Sequence, residues 1–142
     1  MAIRETYHRA GYGTAMAKFI ALASHDGPLP AGFASQPGPD PASFGLPAVD
    51  DGSRDDPLVG LNMPSTPGYY PDYDALRAAP VRVVIGVGAQ SATMLAGRAG
   101  TAVAEGLGTA PVIFPGGHGG FGDGADGQPD DFAATLRSVL AD

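Results

Sequence analysis

The sequence predicts an α/β fold, and three stretches of its second half carry that reading. Residues 81–88, "VRVVIGVG", form a β-branched run bounded by Pro80 and Gly88, the pattern of a buried strand. Residues 110–116, "APVIFPG", form a second, shorter run of the same kind. Between them, "SATMLAGRAGTAVAEGLG" at 91–108 reads as a helix rich in small residues. The order strand, helix, strand predicts parallel pairing through a right-handed crossover.

The remaining elements follow from local patterns. In "IRETYHRAGYGTAMAKFIALAS" (3–24), apolar residues recur at Ile3, Tyr7, Ala10, Met16, Phe19, Ile20 and Ala23. That is helical spacing, with Gly11 and Gly13 predicting a break into two pieces. Residues 25–80 hold eleven of the 14 prolines, which excludes long regular elements there. Such a long irregular stretch is typical of lids and substrate-covering segments. Its apolar residues, among them Phe33, Phe44, Leu58, Leu61, Met63, Tyr69 and Tyr70, are expected to pack it against a surface. In the first predicted crossover helix, Ala92, Leu95, Ala96, Ala99, Ala102, Val103 and Leu107 share a face, with Ser91 as N-cap and Gly108 just past the end. The closing "QPDDFAATLRSVLAD" is a helix with Pro129, Asp130 and Asp131 in its first turn and Phe132, Leu136, Val139 and Leu140 on one face. The expected division is therefore a helical and Pro-rich segment at 1–73 and a strand–helix–strand–helix part at 74–142.

Composition narrows the function classes. At 142 residues with 44% hydrophobic content, the chain suits one globular domain with a real core. A formal charge of -7, with Lys18 the single lysine and the arginines scattered, argues against nucleic acid as a partner. No apolar run is long enough to span a bilayer and no secretory h-region precedes the first helix, so a cytoplasmic protein without a membrane partner is expected. The absence of cysteine excludes disulfides and thiolate metal sites.

The segment "FPGGHGGFGDGADGQPDD" holds the most chemical information, because His118 lies in a glycine cluster directly after a predicted strand. A hard-cation site from His118, Asp123, Asp126 and Asp130 fails the EF-hand spacing, and the glycine-aspartate calcium repeat is one residue short and occurs once. Asp123 and Asp126 read instead as loop solvation or capping of the last helix. No G-x-x-x-x-G-K-[ST] occurs, and "GVGAQSATMLAG" has Thr93 where a dinucleotide fingerprint places its third glycine. Neither a metal nor a cofactor is expected.

Taken together, "DALRAAPVRVVIGVG" (74–88), "GTAPVIFPGGHGGF" (108–121) and "FAATLRSVLAD" (132–142) resemble the C-terminal end of the α/β-hydrolase fold. The resemblance implies that these stretches are the penultimate strand, the last strand with the triad-histidine loop, and the closing helix, with residues 1–73 in the place of a cap. It implies that His118 is the general base of a Ser-His-acid triad acting on an ester or related acyl substrate. The family pattern calls for Asp or Glu after the penultimate strand, where this chain has Gln90 and Ser91. No G-x-S-x-G is present, and none of the serines at 24, 35, 43, 53, 65, 91 and 138 has elbow glycines. The expectation is a truncated or split hydrolase chain, whose start "MAIRET" enters a helix directly and whose nucleophile lies upstream or on a complementing N-terminal part. The alternative is a hydrolase-derived binding or assembly module, or a gene fragment, without catalysis. Two parallel strands leave an unpaired edge, so the isolated chain is expected to dimerise, aggregate or dock on a partner.

Overall fold

A computed structural model describes residues 2–141. The chain forms two compact units, Met1–Tyr70 and Pro71–Asp142.

The first unit is built on helix α1, Ala2–Ala23. Gly11 interrupts it with φ 78° and ψ -179°, dividing the helix where the glycines predicted a break. The glycines also admit the chain that crosses them: a Cβ at Gly11 would meet the Asp50 carboxylate, and one at Gly13 would overlap the Pro47 carbonyl. The rest of the unit is a succession of short turns, including Phe33–Ser35, Pro41–Phe44, the wide helical turn Leu58–Asn62, and helix α2 (Met63–Ser65). Tyr7, Ala15, Met16 and Val59 form the core, with Ile3, Tyr12, Phe19, Ile20, Leu46 and Met63 against it. The expectation for the Pro-rich segment is met only in part. Val59 and Met63 reach the core, whereas Leu61, Tyr69 and Tyr70 are 71%, 73% and 88% exposed.

Two polar side chains hold this unit's irregular chain in place. The fully buried Tyr7 accepts the Asp56 amide on its hydroxyl at 2.9 Å, and the Asp56 carboxylate accepts the Val59 amide at 2.8 Å. Lys18, only 6% exposed, donates its ammonium to the carbonyls of Ala34 (2.6 Å) and Gln36 (2.8 Å). A buried charge is tolerated only with such partners, and here it also closes the Phe33–Ser35 turn. At the surface, Arg54 makes a two-pronged bond to Asp50 (2.9 and 2.7 Å) and lies 5.6 Å from the Tyr7 ring centre. The guanidinium and the Gly52 amide hold the Asp50 carboxyl below its ordinary 3.8.

The second unit begins with helix α3 (Tyr73–Ala78), capped by the Asp72 carboxylate on the Ala75 amide. Strand β1 (Gly86–Gly88), helix α4 (Leu95–Leu107), strand β2 (Val112–Phe114) and helix α5 (Pro129–Ala141) follow. β1 and β2 are parallel, with Gly86 opposite Val112 and Gly88 opposite Phe114. The α/β reading of this part therefore holds at the level of element order and strand direction. The ladder is much shorter than the sequence pattern, because among the described residues no strand pairs with residues 81–84.

Helix α4 differs from expectation in two respects. Its N-cap is Met94, not Ser91, because residues 89–91 form a separate turn in which Ser91 is 2% exposed. Of the predicted stripe only Leu107 is buried; the helix's other buried residues are Gly97 and Ala104, and Leu95 is 40% exposed. Small residues win because the helix lies close to β1: a Cβ at Gly100 would stand 3.0 Å from the Val87 side chain. The helix ends as predicted at Gly108, with φ 76°, and the Gly108 and Thr109 amides bond to Glu105 and Ala104 carbonyls at 2.9 Å each. Helix α5 packs against β2, where the Phe114 and Phe132 ring centres are 4.8 Å apart.

Two outcomes are expected for the first unit. Tyr7→Phe removes the acceptor of the Asp56 amide and should lower unfolding free energy by about 1 kcal/mol, measured by urea titration. The Asp50–Arg54 pair should add stability above pH 3.8, fully present when the carboxyl is ionised in both states, and lose it as pH falls through the lowered folded value. A stability difference between the native chain and Arg54→Met at pH 7 that persists undiminished at pH 2 would contradict this.

Candidate active site

The turn after β1 and the loop after β2 meet at the carboxyl ends of the two parallel strands, where open α/β sheets place their ligands. Their junction is a main-chain bond, from the Gln90 amide to the Gly116 carbonyl at 3.0 Å. A Cβ at Gly88 would overlap the Gly117 carbonyl, so the two segments touch backbone to backbone. The structure thus brings Gln90 and Ser91 against the base of the His118 loop. It does not join their side chains to the imidazole. Ser91 points its hydroxyl at the Gly88 carbonyl (3.3 Å), and Gln90 is exposed.

The His118 loop is coiled on itself. Gly116 takes the left-handed conformation (φ 84°). The Asp126 carbonyl accepts the Gly117 amide at 2.9 Å, and Gln128 donates its amide to Gly120 at 2.9 Å. The Asp126 carboxylate is folded inward, 3.4 Å from the Gly119 amide, and fills the space that a Cβ on Gly117 would occupy. Only Gly116 among the four glycines flanking His118 needs an unusual φ; Gly117 and Gly120 are required by close approach instead. Asp126 is therefore an organiser of the loop, where the sequence reading had loop solvation or a cap on the last helix. Among the described residues no ion pair joins it to His118, and no group of three or more His, Asp or Glu side chains could hold a metal ion.

His118 itself is exposed, and its imidazole forms no hydrogen bond or ion pair among the described residues. It is one of the residues lining a cleft of ≈ 510 Å³, together with Arg82, Val84, Gly86, Phe114, Phe121, Phe132, Leu136 and others. This volume is in the range of small-molecule sites, roughly 300–1,000 Å³. The walls are largely aliphatic and aromatic, and Phe121 meets Phe132 edge-on at 6.0 Å between ring centres. Arg82 donates to the Val139 carbonyl, fastening the approach to β1 to the end of α5. Arg82 and Phe121 were not singled out by the sequence reading. An arginine inside a β-branched run and an aromatic residue inside a glycine loop were the available signals.

An exposed imidazole beside an apolar cleft can accept a proton from a hydroxyl or water brought to it. It lacks the fixed carboxylate that would orient it and stabilise its charged form. No protein-family model, curated protein or solved structure matches this chain. No helix among the described residues is long and apolar enough to cross a membrane.

Gly117→Ala would force a methyl group into the Asp126 carboxylate and should cost about 1–3 kcal/mol in stability. Combining it with Asp126→Gly should recover part of that loss. A double-mutant cycle by thermal unfolding checks this, and strict additivity would contradict the packing described.

Proposed function

We propose that this chain provides the general-base histidine and the apolar binding cleft of an ester hydrolase of the α/β-hydrolase type. The observation that carries the reading is the position of His118, on the loop that follows a parallel strand and in the lining of a cleft sized for an acyl group. In the proposed step, His118 takes the proton of a serine hydroxyl as that oxygen attacks the ester carbonyl. It then returns the proton to the leaving alkoxide. Residues 1–142 contain no nucleophile elbow, so the serine comes from another polypeptide or segment. Gln90 lies where the family has its acid; its amide can orient an imidazole but cannot offset a positive charge. On this reading the chain by itself hydrolyses esters no faster than free imidazole, and residues 1–73 serve as the cap.

A second reading is favoured by one observation, that among the described residues neither serine, nor Gln90, nor an aspartate engages the His118 imidazole. In it the cleft binds an apolar small molecule without turning it over.

The full chain, placed behind the strand and G-x-S-x-G segment of an esterase of that fold, should release p-nitrophenol from p-nitrophenyl butyrate. His118→Ala should lower that rate by about 10²–10⁴-fold, the usual contribution of a general base. Equal rates with and without His118 would remove the catalytic role. A folded fusion that binds the ester without cleaving it would favour the second reading.

A further inference from the structure

The β-branched pattern starts at Val81, yet the paired ladder starts only at Gly86. Residues 82–85 lead into β1 outside any helix or turn, with no strand on their outer side among the described residues. In the observed register, Ile85 turns its carbonyl toward β2 and accepts the Val112 amide at 2.8 Å. Alternation then directs the main-chain groups of Val84 and Gly86 to the opposite edge. The two edges of the sheet differ in kind. On β2 the outward positions are Pro111, Ile113 and Pro115, so two of the three have no amide to donate. The outer edge of β1 has no such block, and beside it Val81 and Val84 are 66% and 37% exposed.

We propose that two copies of the chain join through these free edges of β1, antiparallel about a two-fold axis near Val84. An antiparallel edge of this kind is self-complementary by symmetry, since each copy offers the same donors and acceptors. In that register Val84 faces its symmetry mate, Val83 and Ile85 face each other, and Arg82 faces glycine. Cross-strand pairs of β-branched residues are among those that stabilise sheets. Charge favours the same stretch. The chain has 15 acidic residues, but none lies between Asp74 and Glu105, so the edges meet without the carboxylates that make the rest of the chain repel a copy of itself. The two Arg82 side chains start four residues apart across the axis, about 14 Å at strand spacing. That exceeds the screening length of about 8 Å at physiological salt. Pairing turns a two-stranded sheet into a four-stranded one, past the three strands that independent stability requires. Because Arg82 and Val84 also line the cleft that His118 lines, the second copy meets residues of that lining.

The chain contains no cysteine, so Val84→Cys introduces a single thiol. Directly opposed residues of an antiparallel pair have Cβ atoms about 4.5–5.5 Å apart, near the spacing that a disulfide spans. Under mild oxidation, full-length Val84→Cys should form a disulfide-linked dimer at least about 10-fold faster than Ile113→Cys on the proline-flanked edge. Sedimentation velocity of the native chain at tens of micromolar should show a dimer that Val84→Pro weakens and Ile113→Lys leaves intact. Val84→Pro removes only an outward amide, and circular dichroism reports whether β1 and β2 survive. A monomeric native chain, equal crosslinking at the two positions, or a dimer unaffected by Val84→Pro with the fold retained would each overturn the proposal.

Discussion

The second unit depends on a ladder of three residue pairs, Gly86–Gly88 with Val112–Phe114. Because this pairing is parallel, the ends of both strands emerge on one side, and the segments after them must share the same small space. Two glycines make that sharing physically possible. Gly88 has no side chain to collide with the Gly117 carbonyl, and Gly86 leaves room for the Phe114 ring, which a Cβ would approach to 2.8 Å. The Gln90–Gly116 bond then closes the junction. The cleft follows from the same arrangement, since Phe114 holds Phe132 and so sets α5 beside the sheet. A larger residue at either glycine would act on the His118 loop without touching His118.

The first unit solves a different problem. A chain interrupted so often by proline cannot satisfy its main chain by long helices or ladders, so side chains must do it. Tyr7 and Lys18, both on α1, reach out to amide and carbonyl groups of distant turns. Each is fully or almost fully buried and each uses its polar end, so burial of the stem and satisfaction of the turn are obtained together. The lysine that charge counting leaves as the chain's only one is thereby structural.

Strand direction, the break at Gly11 and the stop at Gly108 were legible in the sequence, because each depends on local properties: β-branching, turn residues, and the left-handed backbone that glycine accepts. The position of His118 between a strand and a helix was legible for the same reason. The buried face of α4 was not. Hydropathy favours Leu95 and the alanines at 96, 99 and 102, but the buried positions are Gly97, Ala104 and Leu107, and a Cβ at Gly100 would stand 3.0 Å from the Val87 side chain. Nor was the cleft legible, since Arg82, Phe121, Phe132 and Leu136 come from three separated segments.

By itself the sequence determined which residue types are present to do chemistry: a histidine in a glycine loop, no cysteine, and no nucleophile elbow. It also determined where regular structure is allowed, because proline, glycine and β-branching act through the φ and ψ of single residues. Only the tertiary structure decided which groups meet. It turned the Asp126 carboxylate inward onto the Gly119 amide, buried Ser91 beside Gly88, and set His118 in the lining of a largely apolar cleft. Those outcomes are set by packing between segments tens of residues apart, and excluded volume at that range is written in no local pattern.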